Sequence, residues 1–340
     1  MNQLATRFTE FADQECDGSS PLYAHLARKI AEDEDLLDLA THANVGQPVP
    51  NLLFGAVHYL LLNEEGKALQ SFYPSIADEP EPVEEVYPVF RAFCMDYREA
   101  LIDLLQEKRV QTNEVRRCAY LYPVFCEIYK RTATPLSLIE IGTSAGLQLL
   151  FDQYAYSYGE DEWVGNEEAR LYLSAKVRHG NKPALLKSSP PVHARVGLDV
   201  HISDITNEEE RLWLKALIWP EHHERRQQFE QAARELIKSP PPLVEGDGIT
   251  LLQEQANLTP SNTTLCIFHT HVANQLPETK KRELLKHVRA IGEKRDVFHI
   301  YNNMNDRRLH IDSIIGGVET HEVVGETDGH GRWFDWELNG

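Results

Sequence analysis

The hydrophobic rhythm of the chain changes once, near Pro135. Before that point apolar positions recur at spacings of three and four, the period of helices with one buried face. Ser20 followed by Pro21 forms an N-cap and first-turn pair, after which Leu22, Leu26 and Ile30 share a face. Phe90, Phe93, Cys94, Tyr97, Leu101, Leu104 and Leu105 predict one long amphipathic helix, whose aromatic stripe reads as core rather than as a ligand box. Pro80, Pro82 and Pro88 among acidic residues mark a loop before it. Thr112 or Asn113 is placed to cap a further helix that buries Val115, Cys118, Tyr122, Phe125 and Tyr129.

After Pro135 short apolar runs alternate with helical segments, the pattern of an α/β domain. Strands are predicted at 136–140, 193–200, 243–244, 264–268 and 297–301. Thr206 with Glu209 reads as a capping box opening a helix that runs to Pro220. A helix through Phe229, Ala232, Ala233, Leu236 and Ile237 stops at Pro240, and another covers 277–291. An insertion near 156–191 carries a half-buried strand before a turn at Gly180 and Asn181, and 318–338 reads as a long antiparallel hairpin turning near Asp328 and Gly329. The chain therefore divides into a helical part, 1–134, and an α/β part, 135–340.

Composition narrows the function classes. With 340 residues, 42% hydrophobic and 26% charged, the chain is an ordinary globular protein, and its net charge of −19 repels phosphate backbones and anionic membrane surfaces. Nucleic-acid and membrane partners are not expected. Cys16, Cys94, Cys118, Cys126 and Cys266 are odd in number and scattered, which reads as reduced, buried thiols. The start, MNQLATRFTEF, has no basic stretch leading into an apolar run, and the apolar stretch 51–62 is too short to span a bilayer, so a cytoplasmic protein is expected.

The stretch LSLIEIGTSAGLQLL at 136–150 carries the chemistry: an apolar strand ends in an acid and a glycine-containing turn that is expected to open a helix. A dinucleotide fingerprint fails because Ser144 and Leu147 stand where glycine is required, and a phosphate loop fails because no lysine follows. Gly142, Thr143, Ser144, Ala145 and Gly146 match the nucleophile elbow G-x-S-x-G letter for letter. Glu140, Gly142 and Gly146 equally fill the acidic-x-Gly-x-x-x-Gly turn of S-adenosylmethionine-dependent methyltransferases.

The segments QTNEVRRCAYLYP from 111, LIEIGTSAGL from 138, RVGLDVHISDIT from 195, LIWPE from 217, LVEGDG from 243 and IFHTHV from 267 extend this likeness. Through them the chain resembles an uncharacterised bacterial family, a domain of unknown function with a class I methyltransferase-like fold. The resemblance implies a Rossmann-like, mostly parallel sheet with a C-terminal antiparallel hairpin, preceded by the helical part. It implies S-adenosylmethionine as cofactor and methyl transfer to a small molecule or a protein side chain. The implied cofactor residues are Glu140, Gly142, Thr143, Ser144, Gly146, Asp199, Asp247 and Gly248, with Asp199 at the ribose hydroxyls and Asp247 at the adenine amine.

Strand-end loops of an open sheet meet in one crevice, so residues distant in sequence can converge there. His269 and His271 flank Thr270 at a strand end, where positions i and i+2 share a face, and are candidates for the catalytic base and positioning group. As a pair without a third ligand they do not make a metal site. Asn113, Glu114 and Arg117 are candidates for a cover on the acceptor side; a helix cap with exposed charges fits them equally. Two alternatives stay open: a serine hydrolase using Ser144, Asp247 and His330 in triad order, and a nucleoside-binding protein without catalysis.

Overall fold

The run LSLIEI forms β1 (Leu136–Ile141), buried at every residue. A strand covered on both faces of a parallel sheet has no polar side, and hence no alternation to display. The computed structural model describes residues 2–111, 113–159 and 162–338. In it the chain forms two compact units, residues 1–112 with 206–227 and residues 113–205 with 228–340. The first boundary precedes the predicted switch near 135, so the helix Cys118–Thr132 belongs to the same unit as β1.

The first unit is helical. Ser20 caps the helix Pro21–Ile30 by accepting from the Tyr23 N–H, and Glu221 takes the Ser20 hydroxyl at 2.8 Å and the Leu22 N–H at 3.0 Å. His222 stacks on Trp219 and bonds Ser19. Tyr23 stacks on Phe54 with centroids 4.3 Å apart at the centre of an aromatic core. The helix expected through Phe90 and Leu105 is two helices, Val86–Asp96 and Arg98–Glu107, because Tyr97 leaves helical geometry (φ −103°, ψ 21°). Asn207, not Thr206, caps the helix Glu208–Ala216, its side chain taking the Glu209 and Glu210 N–H groups. The suggested cap Thr112 lies outside the described residues.

In the second unit four short strands follow β1: β2 (Ala155–Ser157), β3 (Val164–Gly165), β4 (Tyr172–Ser174) and β5 (Lys176–Gly180). Then come β6 (Val192–Asp199), β7 (Leu243–Glu245), β8 (Thr264–His269), β9 (Val297–Tyr301), β10 (Arg308–Ile315), β11 (Val318–Glu326) and β12 (Trp333–Trp336). The main sheet has seven strands in the order β11-β10-β9-β8-β1-β6-β7. The five from β7 to β9 are parallel, while β10 and β11 are antiparallel to their neighbours. Because β1 has β6 on one side and β8 on the other, the winding reverses between β1 and β8, which opens a crevice beyond the carboxyl ends of these strands.

One sheet face, with Ile139, Ile141, Leu198 and Ile267, packs against Leu252 and Leu284 of the helices Gly248–Leu258 and Glu278–Gly292. On the other, Phe125 of the helix Cys118–Thr132 meets Phe268 edge-on at 5.5 Å. Two expectations change here. The turn after β1 leads into a short 3-10 stretch, Leu147–Gln153, interrupted at Leu150, and not into a long helix. The C-terminal hairpin joins β10 to β11 through Gly316 and Gly317, whose φ of 59° and 80° suit a two-residue hairpin turn. At Asp328 the chain does reverse, with a bridge between Thr327 and Phe334 and a bond from the Glu337 N–H to Val324 O across it, but β12 takes β5 as its strand partner.

Candidate functional site

Four strand ends bring polar residues together: the turn after β1, Asp199 at the end of β6, Thr270 and His271 after β8, and Asn302 and Asn303 after β9. In the turn, each N–H from Gly142 to Gly146 has a protein acceptor. Leu198 O takes the Gly142 and Thr143 donors, Asp199 Oδ2 takes Ser144 at 2.7 Å, Asn113 Oδ1 takes Ala145 at 3.1 Å, and Thr143 O takes Gly146. None of these five donors is therefore open to a ligand, and the turn leads into a short 3-10 stretch rather than an α-helix.

Glu140 lies one residue before the strand's end, on the face opposite Ile139 and Ile141. It is buried, and the Thr143 hydroxyl donates to its Oε2 at 2.6 Å. Burial pushes its carboxyl up to about 8 against the pull of that hydroxyl, with Asp199 adding to the rise and Arg117 opposing it. At neutral pH the group is mostly protonated. Gly142 and Gly146 take φ of 73° and 84°, which a side chain resists. A Cβ on Gly142 would fall 2.4 Å from Val272 Cγ2, and one on Gly146 3.0 Å from Leu243 Cδ2. Gly248 is equally tight against Ile141, at 3.0 Å. These glycines thus admit neighbouring protein side chains.

Asp199 is half-buried, and besides Ser144 it accepts from the His201 N–H at 3.2 Å. Asp247 stands at the start of the helix Gly248–Leu258, where Oδ1 takes the Ile249 and Thr250 N–H groups and Oδ2 pairs with Lys280 at 3.0 Å. Burial raises its carboxyl, but the Lys280 bond and the two backbone donors outweigh it and hold the carboxyl below the usual range.

His269 and His271 do not share a face. His269 ends β8, fully buried, with Nε2 3.1 Å from His299 Nε2, and burial pushes it down to about 4. His271 has left the strand with φ of 57°. Asn302 Oδ1 accepts its N–H at 2.8 Å, and Asn303 Nδ2 donates to its Nδ1 at 3.1 Å. The ring proton therefore sits on Nε2, which is buried and has no hydrogen-bond partner. Burial first, and the Arg117 charge second, push His271 down to about 3.

Asn113 pins the turn from one side, its Nδ2 donating to Ser144 Oγ at 2.7 Å while Oδ1 takes Ala145. Arg117 donates through Nε to Gly329 O at 3.0 Å and through Nη1 to Thr270, whose hydroxyl donates to Gln148 Oε1. Glu114, buried, faces His330 Nδ1 at 3.2 Å. Ser144, Asp247 and His330 are not joined by hydrogen bonds, each being held by a different partner. Sequence reasoning missed Gln148, Asn302 and Asn303; the asparagine pair directly after the fifth parallel strand was the signal, since strand-end loops form the crevice. Among the described residues no group of three or more His, Cys, Asp or Glu is placed to hold a metal ion, and no helix is long and apolar enough to cross a membrane.

A mixed α/β protein with its polar side chains gathered beyond the ends of central parallel strands is the class that fold and site define. The chain belongs to the bacterial family described as "Uncharacterized protein conserved in bacteria (DUF2332)", which it matches over residues 5–336. No curated protein and no solved structure matches it.

Proposed function

We propose that this strand-end site binds S-adenosylmethionine and that the protein transfers its methyl group to a small molecule or a protein side chain. The observation that carries the reading is the turn 142–146 at the point where the sheet reverses its winding, with the Asp199 carboxylate bonded to its side at 2.7 Å. In the resembling methyltransferases the acidic residue after the second strand accepts the ribose hydroxyls. Asp199 holds that place in the order of parallel strands, and each of its oxygens accepts one N–H, which leaves lone pairs for a diol.

Roles divide among the other residues. Glu140, neutral at pH 7, backs the turn through Thr143, and Thr143, Ser144 and the two turn glycines set its path. Asp247 and Gly248 are the more distant part of the reading, for the Asp247 carboxylate is committed to a helix start and to Lys280. His271, after β8, faces the acceptor side, while His269 is a core residue beside His299. An activated sulfonium needs chiefly an aligned nucleophile and an outlet for one proton, so a site built for positioning suits the reaction. Calorimetry of the full chain with S-adenosylmethionine and S-adenosylhomocysteine tests this. A Kd in the micromolar range for either is expected, and no heat from either up to millimolar ligand would refute the cofactor.

A further inference from the structure

Arg117 is 6% exposed, yet among the described residues no carboxylate lies within ion-pair distance of its guanidinium. Its bonded partners are neutral, Gly329 O at 3.0 Å and the Thr270 carbonyl and hydroxyl at 3.4 Å, and Nη2 makes no hydrogen bond among the described residues. It also stands immediately before the helix Cys118–Thr132, where the dipole is positive and a cation is disfavoured. A buried cation without a counter-ion is costly, and proteins ordinarily pair one. A buried donor without a partner lies beside it. His271 Nε2–H is buried without an acceptor, and His271 shares both neighbours of Arg117: it follows Thr270 in sequence, and its Cε1 lies 3.7 Å from where a Cβ on Gly329 would be.

We propose that Arg117 Nη2 and His271 Nε2–H form a carboxylate-binding subsite of the strand-end crevice. A guanidinium donates two roughly parallel bonds to a planar carboxylate, and a fixed imidazole N–H adds a third from the side. Asn303 fixes that imidazole by donating to Nδ1, so His271 serves as a donor that holds the anion. The carboxylate has two sources, the amino-acid end of the cofactor or the methyl acceptor itself, and the first rests on the function proposed above.

The full chain, labelled at its histidine nitrogens, is titrated with acetate and, at matched ionic strength, with chloride; His271→Gln identifies the His271 signals. Acetate is expected to shift them saturably and chloride is not. Arg117→Gln, checked for folding by circular dichroism, should abolish the acetate response. If the cofactor supplies the carboxylate, Arg117→Gln weakens S-adenosylhomocysteine by about tenfold or more but leaves 5′-methylthioadenosine, which lacks that group, unchanged. If the acceptor supplies it, both nucleosides bind the variant as they bind the parent while the acetate response is still lost. An acetate response in a parent that binds neither nucleoside would sink the cofactor and keep the subsite. Parental His271 signals indifferent to acetate, together with unchanged S-adenosylhomocysteine binding in Arg117→Gln, overturn the subsite and spare the cofactor. Where Arg117→Gln fails to fold, Arg117→Lys replaces it, and a parent without an acetate response overturns the proposal alone.

Discussion

The backbone N–H of Ser144 donates to Asp199 Oδ2 at 2.7 Å, so the end of β6 holds the turn that leaves β1. The bond joins residues 55 apart in sequence and makes the same carboxylate both a structural anchor and the expected ribose contact.

Those two uses separate by substitution. Asp199→Asn keeps an oxygen for the Ser144 N–H and should unfold in urea at nearly the parental midpoint, while losing S-adenosylhomocysteine affinity. Asp199→Ala leaves that N–H unmet and should cost about 1 to 3 kcal/mol of stability in the same measurement. Parental nucleoside affinity in Asp199→Asn would remove Asp199 from the cofactor site.

The burial of Glu140 gives stability a definite pH slope. A carboxyl raised to about 8 in the folded chain keeps its proton where the unfolded chain has lost it. Its contribution is therefore complete below the unfolded value and is lost as pH rises through the folded one. Between pH 5 and 8 the parent should lose stability relative to Glu140→Gln, whose amide mimics the protonated acid, by up to about 1.4 kcal/mol per pH unit. Parallel pH profiles for the two proteins would show that Glu140 is ionised when folded.

Gly142 is held by conformation and by a neighbour. Alanine there must adopt a positive φ, costing about 1 to 2 kcal/mol, and its Cβ must displace Val272. Urea unfolding should find Gly142→Ala strongly destabilised, and less so when Val272→Ala has already opened the space. Strict additivity of the two substitutions would contradict the contact.

Ser144 is a turn residue whose hydroxyl accepts from Asn113 and whose neighbour's N–H, the donor an elbow would offer an oxyanion, is taken by the same asparagine. A serine-directed fluorophosphonate should leave the protein unmodified, as mass spectrometry will read. Stoichiometric labelling that disappears in Ser144→Ala would restore the hydrolase reading.

The strands were legible where the chain alone decides them. β1 and β9 are mostly apolar and buried at every residue because both faces of a parallel strand are covered, and Ser20 before Pro21 caps a helix with donors only three residues away. The acid and two glycines at the end of β1 were likewise readable as a constrained turn. What the sequence could not decide was the partner of each polar side chain. Asp247 is bound by Lys280, 33 residues on, and His271 by Asn302, 31 residues on. The two histidines around Thr270 diverge because β8 stops at His269 and His271 turns to positive φ. The tertiary structure alone placed Arg117 between Thr270 and Gly329, without a carboxylate within ion-pair distance among the described residues. Local pattern sets which backbone forms and which face is apolar, whereas a buried polar group takes whatever partner the packed chain brings within 3 Å or so, and that depends on contacts far along the sequence.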